Sequence, residues 1–169
     1  MKFFSGNLNS LRKLYITQIQ MLLSTEERII DALPTVIEKA TDSQLKHAFQ
    51  AHLEETRVHV TRLEKILQEA TGEAEPVKCK VLPAFVEEAE DMVEDASDEP
   101  VRDAALIAAA QRVVHYEIAA YGALRHFAQI LGETAQAQLL DQTIKEEGHA
   151  DHLLTEIANR FNPYAEKAA

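Results

Sequence analysis

The sequence is poor in residues that break helices or cross-link a chain. Its 169 residues include five glycines, five prolines, one cysteine and no tryptophan. The single cysteine, Cys79, excludes an internal disulfide and suits a reducing compartment. No apolar run approaches the roughly 20 residues of a membrane-spanning helix, and the opening MKFFSGNLNSLRKL lacks the apolar stretch of a secretory signal. We therefore expect a cytoplasmic protein that does not enter the membrane.

Positive charge is also scarce. Lysine and arginine number 17 against 28 acidic residues, which gives a formal net charge of −11. Nucleic-acid binding needs clustered basic side chains, so this class of function is excluded. The same surface would repel anionic lipid headgroups but attract divalent cations.

What the sequence does contain is alanine, leucine, glutamate and glutamine, which favour helix over strand. The length is that of one domain, which we take to span residues 1–169. Helix one is predicted to begin near Leu8, with Asn7 as N-cap, and to be kinked or interrupted at Pro34. Thr41 and Gln44 have the spacing of a capping box that opens helix two, which should end before Gly72.

The second half repeats the hairpin pattern after a long connection. Residues 72–100 are acidic and proline-containing, with one short amphipathic helix at about 84–96. Helix three follows Pro100 and ends at Gly132, and Thr134 caps helix four. Two helical hairpins joined by a crossover have the connectivity of ferritin-like bundles. The predicted fold is therefore an all-α, ferritin-like four-helix bundle whose crossover carries a short extra helix.

Each of the four long stretches carries an acid within its apolar stripe. Glu26 fills the gap between Leu22 and Ile29 on helix one. Residues four apart lie on the same helix face, so two stretches add a second ligand-type side chain. The complete set of candidate metal ligands is Glu26, Glu55, His59, Glu117, Glu147 and Asp151.

This set has the composition of a dinuclear carboxylate site. Such bundles take one glutamate from each of two helices and a pair of ligands from each of the others. Five buried carboxylates would repel strongly, because two charges ~4 Å apart cost about 4 kcal/mol at an effective dielectric constant of 20. Two divalent cations would nearly neutralise them. We predict two iron ions, or two manganese ions, because oxygen and imidazole ligands suit both metals.

Several neighbouring residues are alternatives. Glu27 is the alternative to Glu26, and the literal Glu-x-x-His pair, Glu146 with His149, is the alternative on helix four. The row through Glu147 is more apolar, which favours Glu147 with Asp151. Two more polar residues lie on the same stripes. His52 is predicted to hydrogen-bond to a ligand rather than bind the metal, and Tyr121 is predicted to belong to the core, with a hydrogen bond to a ligand as the alternative.

At these residues the sequence resembles the YciE/YciF group of bacterial ferritin-like proteins. The similar stretches are DALP, HLEETRVHVTRLE, PVRDAALIAAAQ, HYEIAAYG, and the double acid followed by Asp151. The resemblance covers nearly the whole chain and supports the six proposed ligands. It implies a bundle that is commonly a homodimer, a dinuclear site similar to that of rubrerythrin, and a link to bacterial stress responses. Unlike rubrerythrin, the chain has no cysteine cluster that could deliver electrons, and its redox partner is unknown.

Two functions remain open from the sequence. The leading hypothesis is a di-iron or di-manganese stress protein that handles peroxide, oxygen or iron. The alternative is a structural or interaction protein in which the metal only holds the helices together. The sequence decides neither between them nor whether the chain is an enzyme.

Overall fold

The computed structural model describes residues 8–168, which form an all-helical structure. Four long helices and one short one follow each other, and a single 3-10 turn, Glu166–Ala168, ends this part of the chain. The helices are α1 (Leu11–Lys39), α2 (Ser43–Thr71), α3 (Val81–Asp95), α4 (Glu99–Ile130) and α5 (Thr134–Ala165). None of them is both long and apolar enough to span a bilayer.

The four long helices form a bundle of two hairpins. Three-residue connections join α1 to α2 and α4 to α5, so each pair packs along its length. The hairpins meet where α2 packs against α5 and α1 packs against α4. The short α3 lies in the crossover and packs mainly on α4. The predicted four-helix bundle with an extra crossover helix is confirmed.

Helix one differs from its predicted limits at both places where we set them. It begins at Leu11, because Ser10 is the N-cap and its Oγ accepts a hydrogen bond from the Lys13 amide at 3.2 Å. The predicted cap, Asn7, lies outside the described residues. The helix also continues through Pro34 to Lys39, so the predicted interruption is wrong. Residues after the proline pack against the apolar core at this end of the helix, and this packing outweighs the backbone hydrogen bond that proline cannot make.

The N-termini of α2 and α5 also differ from the predicted caps. Asp42 caps α2, since its Oδ1 accepts from the amides of Gln44 at 3.0 Å and Leu45 at 2.9 Å. Thr41 does not cap the helix, because its hydroxyl donates instead to Asp103 on α4 at 2.7 Å. Thr134 is the first residue of α5 and not its cap. The capping box predicted at Thr41 and the cap predicted at Thr134 are therefore both wrong.

Two apolar clusters fill the bundle, one on each side of a polar layer. The upper cluster includes Tyr15, Leu63, Leu124 and Leu140. The lower cluster is built from Leu33, Phe49, Leu106, Leu154 and their neighbours. On each long helix the buried polar residues, apart from Asp103 and Gln136, lie between the segments that join these two clusters. The fold thus encloses a polar layer midway along the bundle.

Asp103 generates a prediction about stability. Its buried carboxylate accepts hydrogen bonds from the Thr41 amide at 2.8 Å, the Thr41 hydroxyl at 2.7 Å and the Asp42 amide at 2.7 Å. Asp103→Ala would leave these donors unpaired, which should lower the free energy of unfolding by about 3 kcal/mol. Urea denaturation followed by circular dichroism measures the change.

The control is Asp98→Ala at the start of the same helix. Asp98 makes no side-chain cap to α4 and only a 3.4 Å hydrogen bond from Ser97. Its replacement should change stability by less than about 0.5 kcal/mol. Equal effects of the two substitutions would contradict the role given to Asp103.

Candidate metal centre

The polar layer consists mainly of ligand-type side chains drawn from all four long helices. Glu26, His59, Glu117 and Glu147 are each 0% exposed, and His52 is 9% exposed. Each acid occupies a position that the surrounding stripe otherwise gives to an apolar residue, so the packing of the bundle turns all three inward. Three carboxylates and two imidazoles therefore converge in the core.

These side chains form two groups that share one carboxylate. In the first group, one ligand atom from each of Glu26, His59 and Glu147 lies within 4.8 Å of the others. In the second group, one ligand atom from each of His52, Glu117 and Glu147 also lies within 4.8 Å of the others. Glu147 belongs to both groups. This geometry would suit a carboxylate that bridges two ions.

Many polar atoms of the layer have no hydrogen-bond partner within the described part of the chain. They are both carboxylate oxygens of Glu117 and Glu147, Oε2 of Glu26, and Nδ1 of His52 and His59. Nδ1 of His59 lies 3.2 Å from Glu147 Oε1 and 3.6 Å from Glu26 Oε1. Unpaired buried polar groups cost about 1–3 kcal/mol each, so a layer this rich in them calls for a ligand.

The protonation of the layer reflects this uncompensated charge. Burial, together with the charges of Glu26 and Glu147, raises the pKa of Glu117 well above its ordinary value. Burial alone would lower the pKa of His59, but the adjacent Glu147 and Glu26 carboxylates raise it to about 10. Burial lowers the pKa of His52. Without metal, the layer therefore limits its negative charge by retaining protons.

Outer contacts orient two of these side chains. His59 Nε2 lies 3.0 Å from Glu146 Oε2, and Glu146 is itself paired with Arg62, whose Nη2 donates to Oε1 at 3.0 Å. Hydrogen bonds from Arg62 lower the pKa of Glu146 to about 2, so it stays ionised. This contact leaves His59 Nδ1 facing the layer, an arrangement common around metal-binding histidines. Tyr121 donates a hydrogen bond to Glu26 Oε1.

The residues fit a pair of transition-metal ions. Oxygen and nitrogen ligands lie about 2.1 Å from such ions, so ligands on opposite sides of one ion are about 4.2 Å apart. The ligand atoms of each group lie within 4.8 Å of one another, which is close enough for small side-chain rotations to complete the coordination. Carboxylate and imidazole ligands suit iron and manganese. Two divalent cations would also offset the three buried negative charges.

Four of the six predicted ligands lie together in the layer: Glu26, His59, Glu117 and Glu147. Their sequence neighbours do not. Glu27 and His149 are exposed, and Glu146 lies at the edge of the layer, bound to Arg62. The structure thus places Glu26 and Glu147, rather than Glu27 and Glu146, in the centre of the bundle.

Glu55 and Asp151 are not brought into either group. Thr56, and not Glu55, continues the buried face of α2 between His52 and His59, and this leaves Glu55 half-buried at the edge. Four residues turn a helix by 400°, so Asp151 lies about 40° off the line of Glu147. Its Oδ1 accepts a hydrogen bond from Gln111 at 3.0 Å, toward the surface.

Sequence reasoning placed His52 outside the ligand set, yet the structure includes it in the second group. Its signal was visible in the sequence: it lies seven residues before His59, two helical turns away on the same face. Tyr121, predicted to be a core residue, is fully buried and also hydrogen-bonds to Glu26. Both residues therefore belong to the layer, His52 as a member of the second group and Tyr121 as a hydrogen-bond donor to Glu26.

The raised pKa of Glu117 predicts a trade-off between stability and metal binding. An acid whose pKa is higher in the folded state than in the unfolded state lowers the free energy of unfolding once pH rises above the ordinary pKa of 4.5. Glu117→Gln should therefore stabilise the metal-free protein at neutral pH by about 1–3 kcal/mol, because the amide is neutral and can donate to neighbouring carboxylates. The gain should shrink as pH falls to about 4.5.

Urea denaturation in the presence of a chelator measures the gain in stability, and exposed Glu69→Gln is the control. A loss of stability would contradict this account of the layer.

Comparison with known proteins places this architecture in a family. Residues 10–166 match the family described as a domain of unknown function, DUF892. The chain is 37% identical to protein YciF of Escherichia coli over 165 residues, which cover 96% of this chain and 99% of YciF.

Two solved structures share the fold. The crystal structure of the E. coli stress protein YciF matches with a TM-score of 0.87 and 35% identity, covering 92% of this chain and 98% of YciF. YcfI of Rhodopseudomonas palustris, provisionally described as a structural protein, matches with a TM-score of 0.87 and 33% identity, covering 90% of this chain and 98% of YcfI. The resemblance expected from the sequence is confirmed. The chain therefore belongs to the DUF892 family, alongside YciF.

Proposed function

We propose that this chain is a dinuclear metal protein that binds two iron ions, or two manganese ions, and acts on peroxide, oxygen or iron during stress. The observation that carries the proposal is the sharing of Glu147 between two buried ligand groups, in which most of the carboxylate oxygens have no hydrogen-bond partner among the described residues. Similarity to YciF, which is described as a stress protein, supports the biological setting. A cytoplasmic homodimer is part of the same proposal.

The ligand set follows from the two groups. Glu26 and His59 would hold one ion, His52 and Glu117 the other, and Glu147 would bridge both. Glu146 would keep His59 oriented through its Nε2 hydrogen bond of 3.0 Å. The set therefore replaces two of the carboxylates predicted from the sequence with one additional imidazole, His52.

The surrounding protein would control access and protonation. A metal pair, when bound, supplies redox chemistry toward oxygen or peroxide, and the two apolar clusters exclude bulk water from it. The Tyr121 hydroxyl donates to Glu26 and so holds that carboxylate in place. Since the chain has one cysteine, it cannot form a cysteine-ligated iron site, and a redox partner would have to deliver electrons.

A second candidate function is structural. YcfI, a similar protein, is provisionally described as a structural protein. In this alternative the ions would only hold the four helices together, and the surfaces of the bundle would perform the function. Metal binding is common to both candidates, whereas turnover distinguishes them.

Metal content tests the ligand assignment. We expect about two ions per chain after expression with iron and manganese, measured by inductively coupled plasma mass spectrometry. Glu147→Ala should lose both ions, because Glu147 belongs to both groups, while Glu26→Ala should retain at most one. Glu146→Ala should weaken binding about 10–100-fold, as expected for a residue that orients a ligand.

The matched control is Glu27→Ala, which removes an exposed acid next to Glu26 and should leave the metal content unchanged. Thermal unfolding would verify that each variant folds. Two ions retained by folded Glu147→Ala would overturn the assignment.

Turnover decides between the two candidate functions. The metal-loaded protein should consume hydrogen peroxide or oxygen when supplied with a reductant, and metal-depleted protein should not. An oxygen electrode and a peroxide assay measure the rates, with folded Glu147→Ala as the metal-free control. Full metal loading without turnover of either substrate would favour the structural candidate.

A further inference from the structure

An apolar cavity of about 480 Å³ lies between the crossover helix and the lower part of the bundle. Side chains from α1 to α5 line it, and the larger apolar ones include Ile29, Leu33, Phe49, Phe85, Leu106 and Leu154. Its volume is within the range of about 300–1,000 Å³ typical of small-molecule sites. The cavity therefore has room for a ligand and a lining that favours an apolar one.

The cavity reaches the candidate metal centre. His52 lines the cavity and also belongs to the ligand group that contains Glu117 and Glu147. Glu55 and Val114 also line the cavity, and Glu117 is about one helical turn beyond Val114 on α4. A molecule inside the cavity could thus place one end beside His52.

The charges near His52 restrict the polar end of such a molecule. A carboxylate oxygen of Glu147 lies within 4.8 Å of the His52 ligand nitrogen in their group, and Glu55 lines the same cavity. A second negative charge ~4 Å from a carboxylate costs about 4 kcal/mol at an effective dielectric constant of 20, so an anionic head group is disfavoured there. Glu55 lines the same cavity, and its carboxylate could accept a hydrogen bond from a neutral hydroxyl or hydroperoxyl group placed beside His52.

Cations line another part of the same cavity. Arg28 and Lys39 on α1 border it, together with acids such as Asp31, Glu87 and Glu90. Because both signs of charge are present there, this edge offers no net attraction to an anion. At His52 the cavity meets the polar layer.

We propose that this cavity binds a neutral aliphatic molecule with a terminal O–H group, its chain among the apolar residues and its polar end at His52. The inference deepens the proposed function, because a peroxide bound in this way would be an alkyl hydroperoxide rather than hydrogen peroxide. The binding itself does not require metal.

Decanol serves as the probe, since it has the aliphatic chain and neutral hydroxyl but is chemically stable. Isothermal titration calorimetry of metal-free protein should detect saturable binding. Decanoate, with the same chain length and an anionic head, should bind at least about tenfold more weakly. Tighter binding of decanoate than of decanol would overturn the proposed orientation.

Substitution tests the location of the site. Ala110 lines the cavity, so Ala110→Phe should fill part of it and weaken decanol binding about tenfold or more. Ala119→Phe, at an exposed position of the same helix, is the matched control and should bind as the unmodified chain does. If Ala110→Phe fails to fold by circular dichroism, Ala89→Phe on α3 introduces the same bulk from the crossover helix.

Failure of this inference is distinguishable from failure of the proposed function. Unchanged decanol affinity in a folded Ala110→Phe or Ala89→Phe variant, or no binding to the unmodified chain, would overturn the inference while leaving the metal content intact. Decanol binding to a protein that takes up no metal would support the cavity as a ligand site and overturn the dinuclear centre.

Discussion

The convergence of three carboxylates in the middle of the bundle is the constraint on which the rest of the structure depends. Glu26, Glu117 and Glu147 are fully buried, and most of their oxygens have no partner among the described residues. Such an arrangement is costly unless cations or protons compensate the charge. Without a metal, the raised pKa values of Glu117 and His59 favour their protonated forms, which reduces the negative charge of the layer.

The fold supports this layer by placing apolar packing on both sides of it. Leu63 and Leu124 belong to the cluster above, and Phe49 and Leu106 to the cluster below. Because each long helix crosses both clusters, each presents its polar residues at the same height. The hydrogen bonds of Asp103 tie the first hairpin to the second, so the ligands of α1 and α2 stay in register with those of α4.

The sequence predicted most of the fold because helical periodicity, proline and glycine positions, and connection lengths are local features. It also identified Glu26, Glu117 and Glu147, since each interrupts an otherwise apolar stripe. It was less successful on α2, where acids and imidazoles crowd within two helical turns and several registers satisfy the pattern. Only packing shows that Thr56 occupies the central position, which turns His52 inward and Glu55 toward the edge. The predicted cap at Thr41 failed for a related reason, because a tertiary hydrogen bond to Asp103 turns its hydroxyl away from the helix end. The predicted cap at Thr134 failed because this residue is already the first of α5.

Anomalous scattering from crystals grown with iron and manganese, recorded at both absorption edges, tests the central claim most directly. The account predicts two peaks inside the bundle, one beside Glu26 and His59 and the other beside His52 and Glu117, with Glu147 contacting both. The edge at which the peaks appear would identify the metal. Peaks confined to the acidic surface, or an interior without any peak in fully supplemented protein, would contradict it.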